Sequence, residues 1–298
     1  MSFNEGAQLD TGQVQRGGGL GGGGLGKIGG GIGGILLLLV GAYFGVDLSG
    51  ITAGDPGSSV TTPGGQSDLA QECRTGADAN TKVECRVVGT VNSVQDYWVD
   101  ALPQQSGKDY HLAPTVVYDG RTQSACGTAS NAVGPFYCPT DSKIYIDPSF
   151  FAELTTRFGA DDGALAQEYV VAHEYGHHVQ DLLGVLGAAQ QDPQGAESGA
   201  VRVELMADCL AGMWAHGAAT TEDASGQTYL KPLTKSDIAS ALSAAAAVGD
   251  DHIQQQAQGR VNPESWTHGS SAERQRWFTR GYQSGDLAQC DTLNASSL

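Results

Sequence analysis

The sequence predicts an α+β fold, with a small sheet followed by a helical C-terminal half, behind one N-terminal transmembrane helix. Three observations carry this. Between residues 115 and 147, short β-rich runs alternate with turn residues. After Pro148 the apolar periodicity turns helical over 149–158, 162–183, 198–216, 235–248 and 270–282. Near the N-terminus, Ile28 to Val46 contains no charged residue.

Taken in order, residues 1–27 are rich in glycine and polar residues, and are expected to form a flexible cytoplasmic tail. Residues 28–46 are just long enough to span a bilayer, at ~1.5 Å per residue against ~30 Å of hydrocarbon. Arg16 and Lys27 precede this stretch, and Asp47 and Asp55 follow it. The positive-inside rule then places the N-terminus in the cytoplasm and the remainder outside, as a single-pass protein of the cell membrane. A cleaved signal peptide fits less well, because its apolar region would sit unusually far into the chain. Residues 47–67 form a Gly/Ser/Thr/Pro linker. Residues 68–298 show no internal repeat and form one domain; 40% hydrophobic and 7% aromatic content in the whole chain supports one core.

Within that domain, Asp68–Trp98 is expected to hold one helix and a strand, and Thr115–Tyr118 reads as a strand. Gly134–Cys138 and Lys143–Asp147 read as two strands about a turn at Pro139–Ser142. Ser270-Ser-Ala-Glu273 is a capping box for the last helix.

The formal charge is −17, with 16 Lys+Arg against 33 Asp+Glu. That argues against nucleic acid and against an anionic lipid surface as a partner. The cysteines, Cys73, Cys85, Cys126, Cys138, Cys209 and Cys290, are even in number and all follow the apolar stretch. None forms a C-x-x-C pair, so they read as disulfides of an oxidising compartment. Of the fifteen pairings that six cysteines allow, Cys73–Cys85 and Cys126–Cys138 close short local loops, which leaves Cys209–Cys290. A free buried thiol at Cys209 is the competing expectation.

The chemistry concentrates in Val170-Val-Ala-His-Glu-Tyr-Gly-His-His-Val179. On a helix, His173 and His177 stack on one face and can reach one metal ion. Glu174 projects beside that ion, where a general base is needed. Later, Glu204 and Asp208 stand four apart in an otherwise apolar helix, 199–216. Buried carboxylates need partners. Glu204 can be the third ligand, and Asp208 can accept the free ring N–H of a ligand histidine. The alternative pairs both with Arg202 or other basic groups in a structural network. The metzincin extension is missing, since Gln180 and Leu183 stand where it needs glycine and histidine. Two histidines, a glutamate and an open fourth position are the catalytic pattern of Zn2+ rather than the closed structural one.

The stretches His173–Gln180, Arg202–Cys209 and Thr267–Phe278 resemble the bacterial family of putative neutral zinc metallopeptidases. So do the Gly-rich start and the single apolar segment. Glu-x-x-x-Asp after His-Glu-x-x-His is also similar, more remotely, to the gluzincins. The resemblance implies a zincin-like domain over 68–298, with a sheet above the active-site helix and a cleft between them. His268 stands six residues before Arg274, a spacing that resembles the His-x(5)-Arg element of membrane CAAX prenyl proteases. That implies that His268 faces the developing oxyanion. His178 points about 100° away from His177 and cannot share the ion.

The expected function is a membrane-anchored zinc endopeptidase acting on a peptide or protein of the cell envelope, with Glu174 as general base. Its substrate would pair with the strand edge at Phe136 and Tyr137, since Pro135 suits an edge strand. The alternative is a zinc-stabilised exported binding domain without turnover, which gives no reason for a carboxylate at 174.

Overall fold

A computed structural model of the chain describes residues 2–17, 66–130 and 133–298. The predicted span 28–46 and all but the last two residues of the predicted linker lie outside the described residues. Among the described residues, no helix is long and apolar enough to cross a membrane.

The strands are β1 (Val14–Arg16), β2 (Thr115–Val117), β3 (Arg121–Ser124), β4 (Gly127–Ser130), β5 (Phe136–Cys138) and β6 (Lys143–Ile146). Four form one mixed sheet in the order β1-β2-β6-β5, parallel except for the β5–β6 pair. That pair turns at 139–142, as predicted, with Tyr137 opposite Ile144. The strands alternate between two apolar layers. Val117, Tyr137, Ile144 and Ile146 face the main core with the helices. Val116, Phe136, Cys138 and Tyr145 face a second cluster with Ala129 from the β3–β4 hairpin.

The helices are α1 (Gln66–Glu72), α2 (Gly76–Thr81), α3 (Val83–Ser106), α4 (Phe150–Thr156), α5 (Ala164–Leu183), α6 (Gly187–Gln191), α7 (Gly199–Gly217), α8 (Lys235–Ala247), α9 (Asp250–Gln258) and α10 (Ser271–Ser284). All five helices predicted after Pro148 are present, and Ser270 and Glu273 form the capping box. The strand expected before Trp98 is not there. Val87, Val88, Val91 and Val94 instead lie on α3 and are buried with Trp98. Their β-branched character favours a strand, but burial along a long central helix outweighs that preference.

Close backbone approach locks the helical half. A Cβ on Gly281 of α10 would lie 1.9 Å from the Cys209 carbonyl oxygen of α7, and one on Gly212 would lie 2.1 Å from that of Phe278. Gly176 lets α5 approach α7 in the same way, with Ala207 only 3.0 Å from where its Cβ would be. All three expected disulfides are formed, Cys73–Cys85, Cys126–Cys138 and Cys209–Cys290. The last ties α7 to the C-terminal segment, where Arg202 also donates to the carbonyls of Thr292 and Ala295.

The expectation of a flexible tail over residues 1–27 fails for residues 2–17. Phe3, Ala7 and Val14 are buried in the main core, and β1 completes one edge of the sheet. Composition misled because this segment is polar overall, while its four apolar side chains, Phe3, Ala7, Leu9 and Val14, fall at the points of contact.

Candidate metal centre

α5 and α7 present the predicted residues to one another. His173 and His177 stand one turn apart on α5, their rings nearly perpendicular with centroids 4.8 Å apart. Glu204 on α7 faces both. Its Oε2 is 3.1 Å from His173 Nε2, and its Oε1 is 3.4 Å from His177 Nε2. One ligand atom from each of the three lies within 4.8 Å of the others, and all three residues are buried.

The donor set fits zinc. Bonds of ~2.0–2.1 Å in tetrahedral array put donor atoms about 3.3 Å apart. Both imidazoles are also held at Nδ1, with Nε2 turned to Glu204. His173 Nδ1 meets Asp208 Oδ1 at 2.9 Å, and His177 Nδ1 meets Gln180 Oε1 at 2.8 Å. The Gln180 amide is oriented in turn by its Nε2, which donates to the Val203 carbonyl at 2.6 Å. A carboxylate or amide oxygen at Nδ1 selects the tautomer that leaves Nε2 to bind an ion.

Asp208 is the hub behind His173. Its Oδ2 accepts from Arg274 Nε at 2.8 Å and its Oδ1 from Arg274 Nη2 at 3.0 Å. Tyr169 also donates its hydroxyl to Oδ1. Burial raises the Asp208 carboxyl, but Arg274 and His173 outweigh it and hold it below the usual range. Arg202 serves the C-terminus instead, so of the basic groups the alternative allowed it is Arg274 that pairs with Asp208. Burial likewise opposes charge on Glu204, yet His177, His268 and His173 together hold it well below the ordinary glutamate range.

Glu174 is buried beside the histidines. Burial raises its carboxyl, while His177 and His173 pull it back and the Tyr137 backbone amide adds a smaller lowering. That amide belongs to β5, which is an edge strand as predicted. The Phe136 and Tyr137 side chains themselves are engaged by other partners. Phe136 stacks on Tyr145 with ring centroids 5.1 Å apart, and Tyr137 donates to Asp181 at 2.8 Å. What β5 offers the site is main chain.

His268 is partly exposed, with Nδ1 engaged by Thr267 Oγ1 at 2.8 Å and facing Asp250 Oδ1 at 3.5 Å. Asp250 Oδ2 accepts the amides of Thr267, His268 and Gly269 at 2.7, 2.7 and 3.0 Å, which fixes the loop that carries the ring. Burial lowers the His268 imidazole, but Glu204 and Asp250 outweigh it and raise it. His178 is packed on the other side of α5 between Tyr110 and Tyr137, as its angular offset requires.

Sequence reasoning missed the roles of Gln180, Tyr169, Asp250 and the Arg274 ion pair. Gln180 was within reach, because i+3 from His177 puts it on the same face. Asp250 carries no local signal.

Two imidazoles and a carboxylate from α5 and α7, with a second carboxylate alongside, form a cluster that could hold a metal ion, in the His-Glu-x-x-His pattern. The chain belongs to the family described as putative neutral zinc metallopeptidase, whose model matches residues 4–293. It is 54% identical over 255 residues to the uncharacterized protein Rv2575 of Mycobacterium tuberculosis, covering 85% of each chain. It is 41% identical over 274 residues to the uncharacterized protein YpfJ of Escherichia coli K12, covering 89% of this chain and 88% of that one. No solved structure matches the chain.

Proposed function

We propose that the protein is a zinc endopeptidase that hydrolyses peptide bonds in peptides or proteins of the cell envelope. The observation that carries this is the convergence of His173, His177 and Glu204 with Glu174 buried beside them. A zinc ion held by these three side chains supplies a Lewis acid and lowers the pKa of water towards ~7. Glu174 takes the proton from the attacking water and returns it to the leaving nitrogen. The Tyr137 amide orients that carboxylate. Asp208 and Gln180 keep both imidazoles in the metal-binding tautomer. His268, with Nδ1 engaged, turns Nε2 to the developing oxyanion. The substrate lies extended along β5 and pairs with its main chain.

The three disulfides support an extracytoplasmic metal domain. The stretch Ile28–Val46 is the segment through which it is held at the membrane.

The test is Glu174→Gln, which keeps size and hydrogen bonding but removes the base. Metal content and fold should persist, and peptide cleavage should fall by ~10²–10⁴-fold. A variant retaining more than about a tenth of the wild-type rate contradicts the assigned role. Zinc bound at one per chain with no cleavage of any envelope protein by the wild type would favour the binding-domain reading.

A further inference from the structure

Residues 2–17 are built into the metal domain. Phe3 exchanges two hydrogen bonds with the Asn80 side chain of α2, its amide donating at 2.8 Å and its carbonyl accepting at 3.0 Å. Its ring fills the place a side chain would occupy at Gly89 of α3, where a Cβ would lie 2.6 Å away. The Asn4 amide donates to the Tyr229 carbonyl, Ala7 accepts from Gly76, and Leu9 donates to Arg74. β1 then pairs with β2, and Arg16 forms an ion pair with Glu84.

The domain depends on these partners in return. Asn92 is wholly buried on α3, and both ends of its amide are satisfied by the strap: Oδ1 accepts from the Asp10 amide and Nδ2 donates to the Asp10 carbonyl, each at 2.9 Å. Gln95, also buried on α3, donates to Gln13 at 2.8 Å. Without the strap these buried amides would lose their partners, which costs free energy with no compensation. The matched family model also begins inside the strap, at residue 4.

This conflicts with the topology that the charge distribution predicts. A single crossing by Ile28–Val46 would put residues 2–17 and the metal domain on opposite faces of a bilayer, where no such contact can form. We infer that residues 2–17 and the metal centre occupy the same side of the membrane, with the strap seated on the domain in the native protein. The packing therefore takes precedence over the opposite-face topology, whichever face the strap and the metal centre share. A loosely held charge bias of two basic residues is weak evidence beside a strap that fills a core position and satisfies buried amides.

Two glycines offer matched probes. Gly6 in the strap and Gly187 at the start of α6 each have nothing within 4 Å of an added Cβ, and neither has positive φ. Single variants Gly6→Cys and Gly187→Cys of the full chain, expressed in a bacterium, are treated with a membrane-impermeant maleimide before and after lysis. The native cysteines are all in disulfides and do not compete. Matching behaviour at the two positions is expected, both reactive in intact cells or both only after lysis. Reaction at one position and protection of the other until lysis overturns the inference. Hydrogen exchange on the wild-type full chain gives a measurement free of substitution. The amides of Phe3, Asn4, Leu9 and Asp10 should exchange as slowly as those of α3. Exchange at the rate of an unfolded peptide would show that the strap is not seated and would also overturn it.

Discussion

Replacing Gln180 with methionine isolates one contact behind the metal centre. Methionine matches glutamine in length and keeps the space filled, but it removes the oxygen that accepts from His177 Nδ1 at 2.8 Å and the amide that donates to Val203 at 2.6 Å. With no acceptor at Nδ1, His177 can adopt the other tautomer or rotate, and its Nε2 is no longer reserved for an ion. Loss of such an outer partner typically weakens metal binding by ~10–100-fold, or about 1.4–2.7 kcal/mol. A folding penalty of about 1–3 kcal/mol should accompany it, from the lost bonds within a buried site. The two effects separate experimentally. Zinc affinity is measured by competition with a chelator, at a temperature where both proteins are folded, and stability by urea unfolding of the metal-free forms. If affinity stays within about threefold of wild type while stability falls, Gln180 is only a tie between α5 and α7, and its assignment as orienter of His177 is wrong.

Two further outcomes follow from packing and charge. Cys209 and Cys290 are separated by 81 residues, so replacing both with alanine should cost about 4–5 kcal/mol by chain entropy. Denaturant unfolding that shows a loss below about 1 kcal/mol would mean that the bridge adds little to the packing of α7 against α10. Glu168 on α5 is fully buried, and neither carboxylate oxygen has a hydrogen-bond partner among the described residues. Burial pushes it from 4.5 up to about 7, with Arg86 pulling the other way. The folded state therefore binds more protons than the unfolded state between those values, and stability is lost as pH rises through that window. At ~1.36 kcal/mol per pKa unit, Glu168→Gln should gain about 3 kcal/mol on wild type between pH ~4.5 and ~8. Parallel stability curves for the two proteins would refute the buried-charge assignment.

Five of the seven described helices after Pro148, the β5–β6 hairpin and the residues of the candidate metal centre were legible in the sequence because each rests on local spacing. Residues i and i+4 share a helix face whatever lies around them. The same logic reached Asp208, because a carboxylate one turn from Glu204 in an apolar helix needs a partner. The disulfides were legible by loop length together with the even count. What local spacing cannot supply is the partner that arrives from elsewhere in the chain. Arg274 reaches Asp208 across 66 residues, and Asp250 reaches the His268 loop across 18. Neither meeting follows from a motif, since each depends on how α7, α9 and α10 cross. α3 reads as strand in its valines because β-branched residues favour that geometry locally, and only its central burial among other helices decides otherwise. The strap is the fullest case. A polar, glycine-rich stretch looks unable to order itself, and alone it is. It becomes ordered because α3 holds buried amides, and a glycine at position 89, that only a chain from outside the helix can complete.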